Sequence, residues 1–378
     1  MDYVLASLMY ALSFLVVLTI IVFVHEGGHY IAARYNGVRV EVFSVGFGRE
    51  VFGRTDRHGT RWKFSLIPLG GYIKMFGELE NPEAGQRFSP EERAVSFRHK
   101  RLDQRAVIVA AGPIMNVVFA VVVFALVFMT LGRPLTPPVV GEVQPGSAAA
   151  AGGVQPGDRF LAIDDRAIEQ FGDIRQFMLL STGVPMAVRL QRGERELVLV
   201  LTPQVMETTD ELGSVRRLPV LGVKADPEVP VQVRRYTPVA AVGEALYETY
   251  DVMRSMAIAF GQMLTGTRGA DELSGLLRIA HLSGVAVQNG VSVFIMFIGI
   301  LSINLGMVNL FPIPVLDGGH LLFYTIEGIR GRPLTERTQE YGLRIGLALV
   351  LGLVLFAQWN DLVFYWSGVR SFLVGLVS

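Results

Sequence analysis

The sequence predicts a multi-span α-helical membrane protein of about four transmembrane helices, with a membrane-associated β-hairpin sheet on the cytosolic side and one compact external α+β domain. Three observations lead there. Four stretches are apolar and long enough to cross a bilayer, which takes roughly 20 residues. The chain of 378 residues is 51% hydrophobic and only 18% charged, whereas soluble domains carry about 25% charged residues. A His-Glu-x-x-His pattern, His25 to His29, closes the first apolar run.

The first span, 1–33, has no charged residue from Tyr3 to Val24. It lacks a basic start and its apolar run is too long for a cleavable signal peptide, so it reads as a retained helix. The segment 34–105 is rich in Arg and Lys and belongs in the cytosol. Within it, Val40 to Val51 and Arg61 to Phe76 read as strands around the turn Asp56 to Gly59. Gly46-Phe47-Gly48 and Gly70-Gly71 suggest bulges or close backbone approach, and Pro68 points to an edge strand. Such an edge can pair with an extended peptide, or the sheet can simply cap the cytosolic face. Glu80 to Lys100 is polar and is expected on the surface.

The second span is expected at 106–131, the third at 285–318 and the fourth at 341–366. Between the second and third lies a compact domain, 139–203. It should hold a short helix at Ser147–Ala151, a strand at Arg159–Ile163, a helix at Phe171–Leu180 and a hairpin across Arg192-Gly193-Glu194. The stretch 204–284 reads as a linker with amphipathic helices on the membrane surface. Its main helix, Val239–Leu264, carries Glu244, Glu248, Asp251 and Arg254, which argue against a fifth span. Basic loops follow spans one and three, while the tail holds only Arg370. Both termini and the external domain are therefore expected outside the cytosol.

Zero net charge argues against nucleic acid as a partner, and the absence of Cys leaves only His, Asp or Glu to hold a metal. Residues four apart share a helix face, so His25 and His29 can address one ion, and Glu26 can reach a water on it. The pattern arises by chance in many helices. At the end of a membrane span, however, imidazoles and a carboxylate are costly unless paired, wet or metal-bound. Gly27 and Gly28 lower helix stability by roughly 1 kcal/mol each against Ala, and leave space near the metal. Zinc with two histidines takes a third protein ligand. Asp317 is the best candidate: it ends a long uncharged run behind Pro312 and Pro314, although an aspartate there can also be a plain helix-boundary residue. His320 and Glu327 are the fallbacks; His58, His99 and His281 read as surface residues.

Gly146 to Asp164 closely resembles a PDZ domain, which either grips extended peptide ends or acts here as a filter over the membrane site. Nearly the whole chain resembles the site-2 proteases, most of all the bacterial regulators of sigma-E proteolysis, which are intramembrane zinc metalloproteases. The resemblance is carried by His25-Glu26-x-x-His29, Gly46-Phe47-Gly48, Ala111-Gly112-Pro113-x-x-Asn116, the PDZ-like stretch, and Asn309-x-x-Pro312-x-Pro314-x-Leu316-Asp317-Gly318. It implies that His25, His29 and Asp317 bind zinc (Zn2+), that Glu26 is catalytic and that Asn309 contacts substrate. Pro312, Gly46, Phe47, Gly48 and Asn116 are expected to join Asn309 as substrate-binding residues. The resemblance also implies a bacterial inner membrane, contact with lipid, and single-span substrates already trimmed outside, such as anti-sigma factors, or signal-peptide remnants.

Three departures from the family pattern stand out. Gly27 replaces a residue that is commonly bulky, only one PDZ domain is evident, and Leu273 to Ala280 lacks the proline that relatives place after the glycine. Two rivals come from other classes. An inactive PDZ-bearing scaffold would usually have lost Glu26 or a ligand. A zinc transporter would need polar groups spaced through its spans, where only Asn304 and Asn309 stand out.

Overall fold

The structure, a computed structural model, describes residues 2–78, 88–180, 184–209, 215–266 and 273–377. It divides into two units, Met1–Val127 with Pro238–Ser378, and Phe128–Thr237. Among the described residues four helices are long and apolar enough to cross a membrane: Ser7–Tyr35, Leu102–Thr130, Val291–Asn309 and Arg337–Val363.

The first unit opens with α1 (Asp2–Tyr35), followed by β1 (Val40–Thr55) and β2 (Arg61–Met75). The turn between the strands is built by Asp56, whose Oδ1 accepts the backbone N–H groups of His58 at 2.8 Å and Thr60 at 3.0 Å. The hairpin is folded on itself: Val42–Val45 pairs with residues 71–74 on one side and 61–64 on the other. The expected interruptions are present. Gly46 and Gly48 have φ of +90° and +85°, a region that favours glycine, and the Phe47 ring covers Gly70. Of the segment expected on the surface, 79–87 lies outside the described residues. Helix α2 (Pro90–Val95) follows, started by a Ser89–Glu92 capping box. Ser96 and Phe97 just beyond it are buried, against expectation, because Phe97 joins the core formed by Ala33, Val38 and Ile108. Helix α3 (Leu102–Thr130) then contains Pro113.

The second unit holds β3 (Arg133–Leu135), β4 (Val140–Val143), α4 (Ala148–Ala151), β5 (Arg159–Ile163), β6 (Arg166–Ala167), α5 (Phe171–Leu180), β7 (Met186–Arg192) and β8 (Arg195–Leu201). It continues with β9 (Gln204–Thr209), β10 (Val215–Val220), β11 (Val223–Ala225) and β12 (Gln232–Arg234). Its main sheet runs β6-β5-β7-β8. Alternation in β7 turns Met186, Val188 and Leu190 inward to meet Phe160, Ile163 and Leu201. The expected domain limits, 139–203, are too narrow, and the expected linker begins too early. Strand β11 pairs with β4, and β12 with β3, so residues up to 237 belong to this unit.

The first unit resumes with α6 (Pro238–Leu264), α7 (Leu276–Gln288), α8 (Val291–Asn309), α9 (Asp317–Arg330) and α10 (Glu336–Val377). The third span is shorter than the expected 285–318. Gly290, at φ +110°, breaks the chain between α7 and α8, and residues 310–316 are not helical around Pro312 and Pro314. Helix α10 overruns the expected 341–366 at both ends. Asp361 on α10 starts α7, its carboxylate accepting the N–H groups of Gly275 at 3.0 Å and Arg278 at 2.9 Å. Gln358 accepts the Leu276 N–H at 3.2 Å, a bond that a proline at 276 could not make. His281, expected at the surface, is half-buried with its ring 5.2 Å from Tyr10.

Candidate metal centre

Three side chains converge where α1 meets the start of α9. His25 Nε2 lies 3.3 Å from His29 Nε2. Asp317 Oδ2 lies 3.2 Å from the first and 3.6 Å from the second. Donors about 2.1 Å from a tetrahedral zinc stand roughly 3.4 Å from one another, so these separations suit the ion. The chemistry fits too: Asp317 Oδ2 is buried without a hydrogen-bond partner among the described residues, an arrangement that a cation completes. Both histidines are buried, and Asp317 is 19% exposed through its side chain.

Helix α3 backs this face of α1. The Ile108 carbonyl oxygen is 2.9 Å from His29 Nδ1. A Cβ at Gly112 would collide with the His29 ring, and one at Gly28 with the Ala111 carbonyl, so the two helices touch backbone to ring and backbone to backbone. Asp317 is delivered by the non-helical segment before it. There Val315 holds φ +95°, a strained value for a β-branched residue.

Glu26 is 9% exposed, and the Ile73 backbone hydrogen-bonds its carboxylate. The hairpin comes this close because Gly71 lacks a side chain: a Cβ there would be 2.6 Å from Val22 Cγ1 and 3.2 Å from Glu26 Cγ. His25, Glu26, His29 and Asp317 share the wall of a cavity of about 1040 Å³ with Leu69 to Ile73, Phe47, Asn309 and Val315. The Phe47 and Tyr72 rings stack 6.0 Å apart at 11°.

The model of peptidase family M50 matches residues 13–353. The chain belongs to this family, the site-2 proteases. It is 43% identical to a protein of Agrobacterium fabrum named "Putative zinc metalloprotease", across 93% of this chain and 95% of that one. A protein of the same name from Rhizobium meliloti is 41% identical, across 96% and 99%. Metalloprotease MmpA of Caulobacter vibrioides is 38% identical, across 96% and 97%. Among solved structures, the PDZ domain of the SdrC-like protein of Listeria monocytogenes superposes on 24% of this chain and 87% of its own, with 16% identity and a TM-score of 0.20. As a member of M50 the chain is a zinc metalloprotease of the membrane, and membrane proteins are its substrates.

The M50 site does not gather every residue expected in it. Phe47 and Asn309 reach the cavity wall; Gly46, Gly48, Pro312 and Asn116 do not. Gly46 and Gly48 act through the backbone instead, bending β1 on either side of Phe47. Asn116, expected to touch substrate, is fully buried with Nδ2 3.3 Å from His25 Nδ1, because the ring stands between it and the cavity. The fallback ligands lie outside the metal group. His320 lines the cavity, whereas Glu327 pairs with Arg105 at 3.3 Å and accepts the Leu334 N–H at 3.0 Å. Arg105, Tyr324 and Glu327 also line the cavity, and sequence reading assigned the first two no place in it. Burial pushes the Tyr324 hydroxyl up to about 12, so it stays protonated beside the Arg105 guanidinium.

Proposed function

We propose that this M50 protease hydrolyses peptide bonds within the transmembrane segments of single-span membrane proteins. His25, His29 and Asp317 would hold zinc and Glu26 would move the proton. The observation that carries the reading is the convergence of those three donors, with Glu26 beside them, on the wall of one large cavity. Zinc in that position supplies a Lewis acid that polarises a carbonyl and makes water acidic enough to react near neutral pH. The Glu26 carboxylate takes the proton of the attacking water and passes it to the leaving amine nitrogen. Burial of Glu26 against Ile73 and Gly71 keeps its carboxylate at a fixed position and limits bulk water around it.

A helical substrate offers no free backbone to attack, so it must unwind. Residues 71–75 suit the extended form: Gly71, Tyr72, Ile73 and Met75 line the cavity, and among the described residues no strand pairs with the outer side of this segment. Asn309 and the Phe47 ring supply side-chain contacts on the same wall. By resemblance, the substrates are anti-sigma factor-like proteins already trimmed outside and signal-peptide remnants, cut in a bacterial inner membrane. The many Arg and Lys residues in 34–105 put that loop in the cytosol, with the metal at the cytosolic end of the first span and both termini outside. The PDZ-like second unit would then stand outside the cytosol and hinder uncut proteins.

The test is cleavage of a tagged single-span membrane protein by the purified chain in detergent, beside Glu26→Gln and with a zinc chelator. Cutting inside the span that both controls abolish supports the proposal. Cutting that survives Glu26→Gln overturns it.

A further inference from the structure

We propose that Asn116 is a positioning residue of the metal centre, whose amide sets His25 in the tautomer that binds zinc through Nε2. The inference rests on the ligand assignment above. A histidine that gives one ring nitrogen to a metal carries its proton on the other, and an oxygen acceptor there fixes both ring and tautomer. His29 has such an acceptor in the Ile108 carbonyl, 2.9 Å from its Nδ1. His25 Nδ1 has the Asn116 side chain at 3.3 Å. Ile108, Gly112 and Asn116 lie at successive fourth positions, so one stripe of α3 serves both rings: acceptor, gap, amide.

Helix α8 fixes the amide's position. The buried Ser302 hydroxyl donates to the Asn116 backbone carbonyl at 3.0 Å. Gly306 packs so closely that a Cβ there would be 3.3 Å from Asn116 Cβ. The side chain can still make a half-turn, and that exchanges a donor for an acceptor. With Nδ2 toward His25, the ring accepts at Nδ1 and keeps its proton on Nε2, which lies 3.2 Å from Asp317 Oδ2 without a hydrogen bond to it. With Oδ1 turned toward it, the ring donates from Nδ1 and its Nε2 lone pair is released for the metal. Oδ1 is buried without a hydrogen-bond partner among the described residues, so it is available for that turn. Asparagine thus serves the ring in both its metal-free and metal-holding forms. Aspartate would supply only the acceptor, and leucine, of similar shape, neither.

The experiment is a zinc affinity measurement by competition with a chromophoric chelator on the full chain in detergent, for the wild type, Asn116→Asp and Asn116→Leu. The visible spectrum of each Co2+-loaded protein reports ligand geometry. Asn116→Leu should bind zinc roughly 10–100-fold more weakly, with an altered cobalt spectrum, while Asn116→Asp binds at least as tightly as the wild type. If Asn116→Leu does not accumulate, Asn116→Ala takes its place with the same expectation. Equal weakening in both variants would show that the acceptor oxygen does not serve His25, and unchanged affinity in both would show that His25 needs no partner; either overturns the proposal. A wild-type protein that binds no zinc would instead overturn the ligand assignment.

Discussion

Asp158 in the second unit and Asp317 in the first are both withdrawn from solvent, but their surroundings are opposite. Asp158 is fully buried and satisfied: Arg192 donates to it from Nε and Nη2, both at 2.7 Å, and the Gln155 N–H donates at 2.8 Å. Its partners sit in an adjoining turn and on a strand of the same sheet. Asp317 faces two imidazoles from another helix, and its Oδ2 is left without a hydrogen bond among the described residues. A buried carboxylate whose lone pairs are all taken holds a fold together; one left open beside other metal-ligating side chains is a place for a cation.

The widest effect should come from Asp317→Ala. It should abolish zinc retention and proteolysis while leaving hydrogen exchange in β7 and β8 unchanged, read by metal analysis and mass spectrometry on one sample. If exchange in the second unit quickens as well, the contrast between the two aspartates fails. Glu26→Gln should lower cleavage by roughly 10²–10⁴-fold and keep zinc at the wild-type level, which separates proton transfer from metal holding. Gly112→Ala, which forces a methyl group onto the His29 ring, should weaken zinc binding by about tenfold or more; unchanged binding would mean that α3 does not set the ring.

Asp158→Ala should do the reverse of Asp317→Ala, leaving zinc untouched and destabilising the second unit by about 2 kcal/mol. The pH dependence sharpens this smallest effect. Burial alone would raise the Asp158 carboxyl, but hydrogen bonds from Arg192 and Gln155 outweigh it and hold the group below the usual carboxylate range. Its stabilisation is therefore complete above the unfolded value of about 3.9 and is lost as pH falls through the lower folded value. The advantage of the wild type over Asp158→Ala in β7 exchange protection should persist at pH 5 and shrink below about pH 4.

What could be read from sequence was local. His25, Glu26 and His29 sit within one helical turn, so spacing alone puts them on one face. Asp317 was reachable because two prolines and a matching depth single it out. The closing of the second unit was not readable: β11 and β12 are three residues each, and they gain meaning only by pairing with strands some 80 to 100 residues earlier. The break at Gly290 hides among apolar neighbours, and hydropathy does not register one residue's φ. Gly70-Gly71 pointed to a bulge or close backbone approach and Gly112 stood in a motif, but the sequence does not say which helix or ring occupies the missing side chain. Asn116 was noticed but read as facing the substrate, since a motif does not say which way its asparagine points.

Val315, two residues before Asp317, carries a consequence for how such a protein can adapt to heat. Its φ of +95° suits glycine and strains valine by about 1–3 kcal/mol. Glycine at this position would relieve that strain and also slacken the short tether that aims Asp317. Selection for a hardier chain and selection for a faster one therefore pull against each other at this residue, and a lineage moving to a warmer habitat would have to find its added stability elsewhere in the molecule.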